Sequence, residues 1–119
     1  MAFRRKMRVK SITGDYTVLP SDNETVFVAA SGADIEFTLP AVADSKECSF
    51  RFVNGQDFEM LITAPDETLV AFNDATADGI SVTGAGEHLG GVFELFCDGS
   101  LWYAMGLHAG ANTVTVISA

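Results

Sequence analysis

Residues 48–54 read CSFRFVN: Cys48, Phe50 and Phe52 fall in one phase, with Ser49 and Arg51 in the other. Successive side chains of a β-strand point to opposite faces, so this stretch lays a thiol and two phenyl rings on one side and polar groups on the other. A slip of one residue would turn both phenylalanines into water, which fixes the register. The same period of two recurs along the chain, broken by Gly, Asn, Asp or Pro, and predicts strands at 15–19, 24–29, 34–39, 48–54, 58–64, 68–72, 80–83, 91–97, 101–105 and 113–117. Little sequence is left for a helix. Antiparallel strands joined by tight turns are the expected arrangement.

Two of those turns carry specific signals. Val53-Asn54-Gly55-Gln56 and Cys97-Asp98-Gly99-Ser100 place Asn-Gly and Asp-Gly where two-residue hairpins need positive φ. The stretch 73–79 (NDATADG) is small and polar and reads as a surface loop. Short strands at this density in 119 residues predict an all-β, single-domain β-sandwich or jelly roll. Its core candidates are Phe27, Phe37, Phe50, Phe52, Phe93 and Trp102. No internal repeat at a solenoid period stands out.

A chain of this length buries roughly two-thirds of its unfolded surface and needs no disulfide or metal to fold. It is 48% hydrophobic, yet no apolar run approaches the roughly 20 residues of a membrane-spanning helix, and a soluble protein is expected. Arg8, Lys10 and Asp15 interrupt what would have to be the apolar part of an export signal. Cys48 and Cys97 alternate in phase with phenylalanines and are expected to be buried free thiols rather than a disulfide framework.

The charge is lopsided. Of 7 Lys+Arg, five (Arg4, Arg5, Lys6, Arg8 and Lys10) lie in the opening MAFRRKMRVK, which leaves Lys46 and Arg51 against all 16 acids and a net −14 on residues 11–119. Residues 1–14 therefore read as an extended basic N-terminal arm on a sandwich domain of residues 15–119. Direct nucleic-acid binding is disfavoured, because the acidic body repels the same polyanion unless the arm reaches beyond a Debye length of about 8–10 Å. A frayed solubilising tail is the plain alternative. A docking arm fits better: Arg4, Arg5, Lys6 and Arg8 pair with carboxylates on a partner, while Phe3 and Met7 fill apolar pockets.

Taken in order, TVFVAA, IEFTLPAVAD, CSFRFVNGQDFEMLITAPD and GGVFELFCDGSLWYAMG resemble a compact β module of bacteriophage virion proteins, the capsid decoration (cement) and fibre-associated type. The resemblance covers residues 16–106. It rests on the corner Thr38-Leu39-Pro40, the strand end Phe52-Val53-Asn54, the segment Ile62-Thr63-Ala64 and the hairpin ending in Trp102-Tyr103. It implies a structural role on the phage head surface, assembly in the host cytoplasm, the major capsid protein as partner, and a homo-oligomer that is often a trimer. Thr113, Val114, Thr115, Val116 and Ile117 are the candidate self-association strand, with an internal edge strand as the equal alternative.

Nothing in the residues assembles an enzyme. His88 and His108 lack the spacings of a zinc site, and no nucleophile, base and orienting group can be named together. A pairing of either histidine with Cys48 or Cys97 is the one nucleophilic arrangement left open. Asp74, Thr76, Asp78 and Gly79 imitate the start of a calcium loop, but its twelfth position is Ala85 where a bidentate Glu belongs. The expectation is a non-enzymatic capsid decoration protein with no cofactor, no metal and no membrane partner. A fibre-linked, glycan-binding module using Trp102 and Tyr103 is the alternative.

Overall fold

The computed structural model describes residues 7–72, 74–83, 86, 88–106 and 113–117. Within them the chain forms β1 (Arg8–Ile12), β2 (Tyr16–Thr17), β3 (Thr25–Ala29), β4 (Ile35–Thr38), β5 (Ser49–Asn54), β6 (Met60–Thr63), β7 (Leu69–Ala71), β8 (Asp74–Ala77), β9 (Gly79–Thr83), β10 (Val92–Cys97), β11 (Trp102–Gly106) and β12 (Thr113–Ile117). Pro20–Asp22 and Val42–Asp44 are single 3-10 turns, and no α-helix occurs among the described residues. The strands make a sandwich-like pair of mixed sheets, one of seven strands (β1-β3-β5-β10-β11-β7-β8) and one of five (β12-β9-β6-β4-β2).

The all-β, sandwich-like reading holds, but the antiparallel wiring does not. Up to β6 the chain changes sheet at every strand, so β1, β3 and β5 lie parallel in one sheet and β2, β4 and β6 lie parallel in the other. This half winds like a flattened coil. Arg8 sits beside Thr25 and Thr25 beside Phe50, successive steps of 17 and 25 residues, while the second sheet steps 21 from Tyr16 to Phe37 and 25 from Ile35 to Met60. Such uneven coils leave no repeat in the sequence. A jelly roll, built from antiparallel Greek keys, is thereby set aside. The second half closes the coil with antiparallel strands, β10 against β5 and β9 against β6.

The coil explains why Asn54-Gly55 is not a hairpin. It ends a strand of one sheet, and the chain then crosses to the other. Asn54 is buried, donating from Nδ2 to the Phe58 carbonyl at 2.8 Å and accepting from the Gln56 N–H at 3.3 Å, so its amide shapes the crossover. The Asp98-Gly99 hairpin does form between β10 and β11, as a loop of residues 98–101 in which Cys97 faces Trp102. Asp98 Oδ1 accepts from the N–H groups of Ser100 and Leu101, and only Gly99 (φ +97°) needs the left-handed region.

Two segments expected outside the sheets are strands. β1 lies within the expected arm, so the sheet begins at Arg8 and not after residue 14. β8 lies in the expected loop 73–79, where Ala77 is buried opposite Leu69.

The core lies between the sheets. All six aromatic candidates are fully buried: Phe27, Phe37, Phe50, Phe52, Phe93 and Trp102. Phe52 sits at the centre, 4.9 Å from the Phe37 ring and 5.3 Å from Phe27 by centroid. Trp102 packs on Phe50 at 5.7 Å and donates its Nε1–H to the Pro40 carbonyl at 3.2 Å, which satisfies its one polar atom inside the core.

Candidate functional site

The basic N-terminus meets the fold at an edge. β1 is the outer strand of the seven-stranded sheet and β2 the outer strand of the other, so the side of the sandwich between them would stand open. A polar cluster closes it. Asp22, 6% exposed, accepts from the Leu19 N–H (3.0 Å), the Tyr16 hydroxyl (2.9 Å) and the Lys10 ammonium (3.1 Å). The Tyr16 ring beneath lies 5.3 Å from Phe27 and caps the core. Burial pushes the Asp22 carboxyl up, but its hydrogen bonds with Leu19, Lys10 and Tyr16 outweigh that and hold it below the usual range. Its hydrogen bond to Asp22 raises Lys10 in turn.

Of the expected docking residues, Phe3, Arg4, Arg5 and Lys6 lie outside the described residues. Met7 is half-buried ahead of β1. Arg8 spends its guanidinium within the chain, Nη2 donating to the carbonyls of Ser21 (3.1 Å) and Asn23 (3.0 Å). Arg8 and Lys10 thus fasten the start of the chain to the body.

The widest surface feature is the outer face of the seven-stranded sheet. Registered pairing puts Val9, Val26, Arg51, Glu94 and Met105 in one row across β1, β3, β5, β10 and β11. Val28, Val53 and Val92 form the row on one side, and Ser49, Phe96, Tyr103 and Val70 the row on the other. Val9 is 67% exposed, Met105 46% and Phe96 42%. The rings of Phe96 and Tyr103 stack at 5.3 Å. On this face an ion pair joins Arg51 Nη2 to Glu94 Oε2 at 3.0 Å. A signal for this face was present in TVFVA of β3, where Val26 and Val28 make both phases apolar although one faces outward.

The outer face of the five-stranded sheet is polar. Asp15, Asp34, Glu36 and Glu59 line a shallow trough of about 210 Å³ with Ile35 and Leu61. Each carboxylate is used by the fold: Asp15 accepts from the Glu36 N–H, Asp34 from the Glu59 N–H, Glu36 from the Thr63 hydroxyl and Glu59 from the Ser81 hydroxyl. They act as clips between neighbouring strands. The imitated calcium loop is likewise part of the fold, with Asp74 and Asp78 accepting from the N–H groups of Thr76 and Glu67.

His88 Nδ1 lies 2.9 Å from Asp57 Oδ1, near the start of β10, and this contact lowers the Asp57 carboxyl. Cys48 and Cys97 are at the other end of that strand, buried and free, and burial pushes both thiols up, away from the thiolate a nucleophile needs. The structure does not bring His88 and a cysteine together, and His108 lies outside the described residues. Trp102, offered as a glycan platform, is in the core, and the aromatic pair at the surface is Phe96 with Tyr103.

β12 carries the candidate self-association residues Thr113 to Ile117. It pairs antiparallel with β9 of its own chain, from Thr113 beside Thr83 to Ile117 beside Gly79, as the outermost strand of its sheet. Comparison of the chain with protein-family models, with curated proteins and with solved structures finds no match.

Proposed function

We propose that this chain is a non-enzymatic decoration (cement) protein of a bacteriophage head, bound to the outer surface of the major capsid protein shell through its basic N-terminus. The observation that carries the reading is the segregation of charge: five of the seven basic residues lie within the first ten, on a body that is otherwise strongly acidic. That segment joins the sandwich at an edge strand pinned by Arg8 and Lys10, so a force on it is passed directly to the sheet. Arg4, Arg5 and Lys6 guide it to carboxylates on the shell; Phe3 and Met7 hold it there by burial. The acidic body faces outward and keeps particles apart. Self-association belongs to the proposal: the outer edge of β12 can accept a strand from a neighbour, and the resemblance to phage virion modules implies a trimer.

Quantitative mass spectrometry of purified, tail-stripped heads tests this reading. Recovery close to that of the shell subunit is expected, and absence from heads refutes it. On heads that carry the protein, Phe3→Ala should weaken retention more than Lys6→Ala, because an exposed charge contributes little. A fibre-linked glycan-binding module is the second reading, and the stacked Phe96–Tyr103 pair favours it. Fibres occur in small symmetric sets, so copy number separates the two.

A further inference from the structure

We propose that the outer face of the seven-stranded sheet binds the same face of a second copy of this chain, about a twofold axis parallel to the strands and passing between β5 and β10. Charge and shape on the face are self-complementary under that one operation. Arg51 on β5 and Glu94 on β10 are side by side in one row, so the rotation sets each Arg51 over the partner's Glu94. Two in-plane ion pairs become one ring of alternating charge, the arrangement in which buried charges are compensated on every side. The same rotation lays Val53 over the partner's Val92, and Val26 over the partner's Met105. It also sets the bulky Phe96 over the small Ser49 across the axis. Phe96 on β10 and Met105 on β11 thus meet the smaller Ser49 on β5 and Val26 on β3.

The rotation overlays β1, β3, β5, β10, β11 and β7 on the partner and leaves β8 outside. Six strands spaced about 4.8 Å apart, each roughly 17 Å long, give roughly 490 Å² of flat face per copy. A pair of faces therefore buries roughly 980 Å², at the lower limit of about 1,000 Å² for a specific interface, so the pairing is weak. No described strand packs over this face. The interface lies on the opposite sheet from β12 and is independent of any exchange of that strand and of binding to a capsid.

The test is sedimentation equilibrium of the full chain at concentrations up to about 100 μM, high enough to detect weak pairing. The expected mass rises from 12.6 kDa toward twice that value. Arg51→Glu and Glu94→Arg should each weaken pairing about tenfold or more by placing like charges face to face. An equimolar mixture of the two variants should recover the pair, because each supplies the charges the other lacks. Circular dichroism confirms that each is folded. If either is not, Met105→Lys reads the same interface from an exposed position and should weaken pairing several-fold. A chain monomeric throughout, an assembly that Arg51→Glu or Met105→Lys leaves unchanged, or folded variants whose mixture fails to pair would overturn the proposal.

Discussion

Replacing Asp22 by asparagine tests whether the carboxylate cluster fastens the N-terminal strand to the sandwich. Asparagine keeps the shape, and its amide oxygen can occupy the Oδ2 position that accepts from the Leu19 N–H and the Tyr16 hydroxyl. Two charge-assisted bonds, worth about 1.5–3 kcal/mol each, become neutral ones worth about 1, and the expected loss is about 2 kcal/mol. Lys10 is 41% exposed, so its share is screened by solvent. Urea unfolding followed by the fluorescence of the single, buried Trp102 measures the loss at pH 7. The pH profile gives the second readout. The Asp22 carboxyl is depressed in the folded chain, so its contribution is complete above the unfolded pKa of about 3.9 and fades as pH falls through the lower folded value. The gap between wild type and Asp22→Asn should stay constant from pH 7 to about 5 and close below about 4. Equal stability at pH 7, or a gap that does not narrow in acid, would refute this account of the cluster.

Other consequences follow from the same geometry. Phe52→Ala should cost about 3–5 kcal/mol, since its ring is fully buried among Phe27, Phe37 and Phe50; a loss under about 1 kcal/mol in urea unfolding would contradict the packing. Gly79→Ala would bring a Cβ to 2.7 Å from the Ile62 carbonyl oxygen, and a lowered thermal midpoint is expected, whereas an unchanged one would mean that β6 and β9 are less closely paired. Native Cys48 and Cys97 should react with a thiol reagent far more slowly than the urea-unfolded chain, and comparable rates would show the thiols to be accessible. A chain of residues 13–119, without β1 and Lys10, should melt several degrees lower than the full chain; equal midpoints would show that β1 does not support the sandwich.

Reading the sequence recovers the core and misjudges the wiring, for a physical reason. Alternation reports which side chains turn inward, and Phe50, Phe52, Phe93 and Trp102 all do. It is silent on whether the neighbouring strand runs the same way, because parallel and antiparallel ladders demand the same period. Asn54-Gly55 was a false hairpin signal because a strand that leaves its sheet also needs a polar crossover. β1 reads as an arm because its inward phase holds Arg8 and Lys10, whose long stems reach polar partners at the edge. β8 reads as a loop because only Ala77 marks its inner side. At the candidate site the charge segregation is legible from composition alone. The valine-rich outer face is legible only at β3, where Val26 and Val28 fill the outward phase; the rest of it arises from alternate positions on strands far apart in sequence that only the fold sets side by side.

The coil also fixes the order in which the molecule can be completed during synthesis. From β3 to β6 each strand can stack as it leaves the ribosome, since each pairs with a strand already made. That half-built body presents two raw edges, β5 in one sheet and β6 in the other, and their partners β10 and β9 emerge only later. For that interval the nascent chain carries two unprotected templates for strand pairing, and crowded ribosomes making copies of the same protein offer each edge the wrong match. Misassembly should therefore originate at β5 and β6, even though both are interior strands of the finished molecule and cannot be reached from solution.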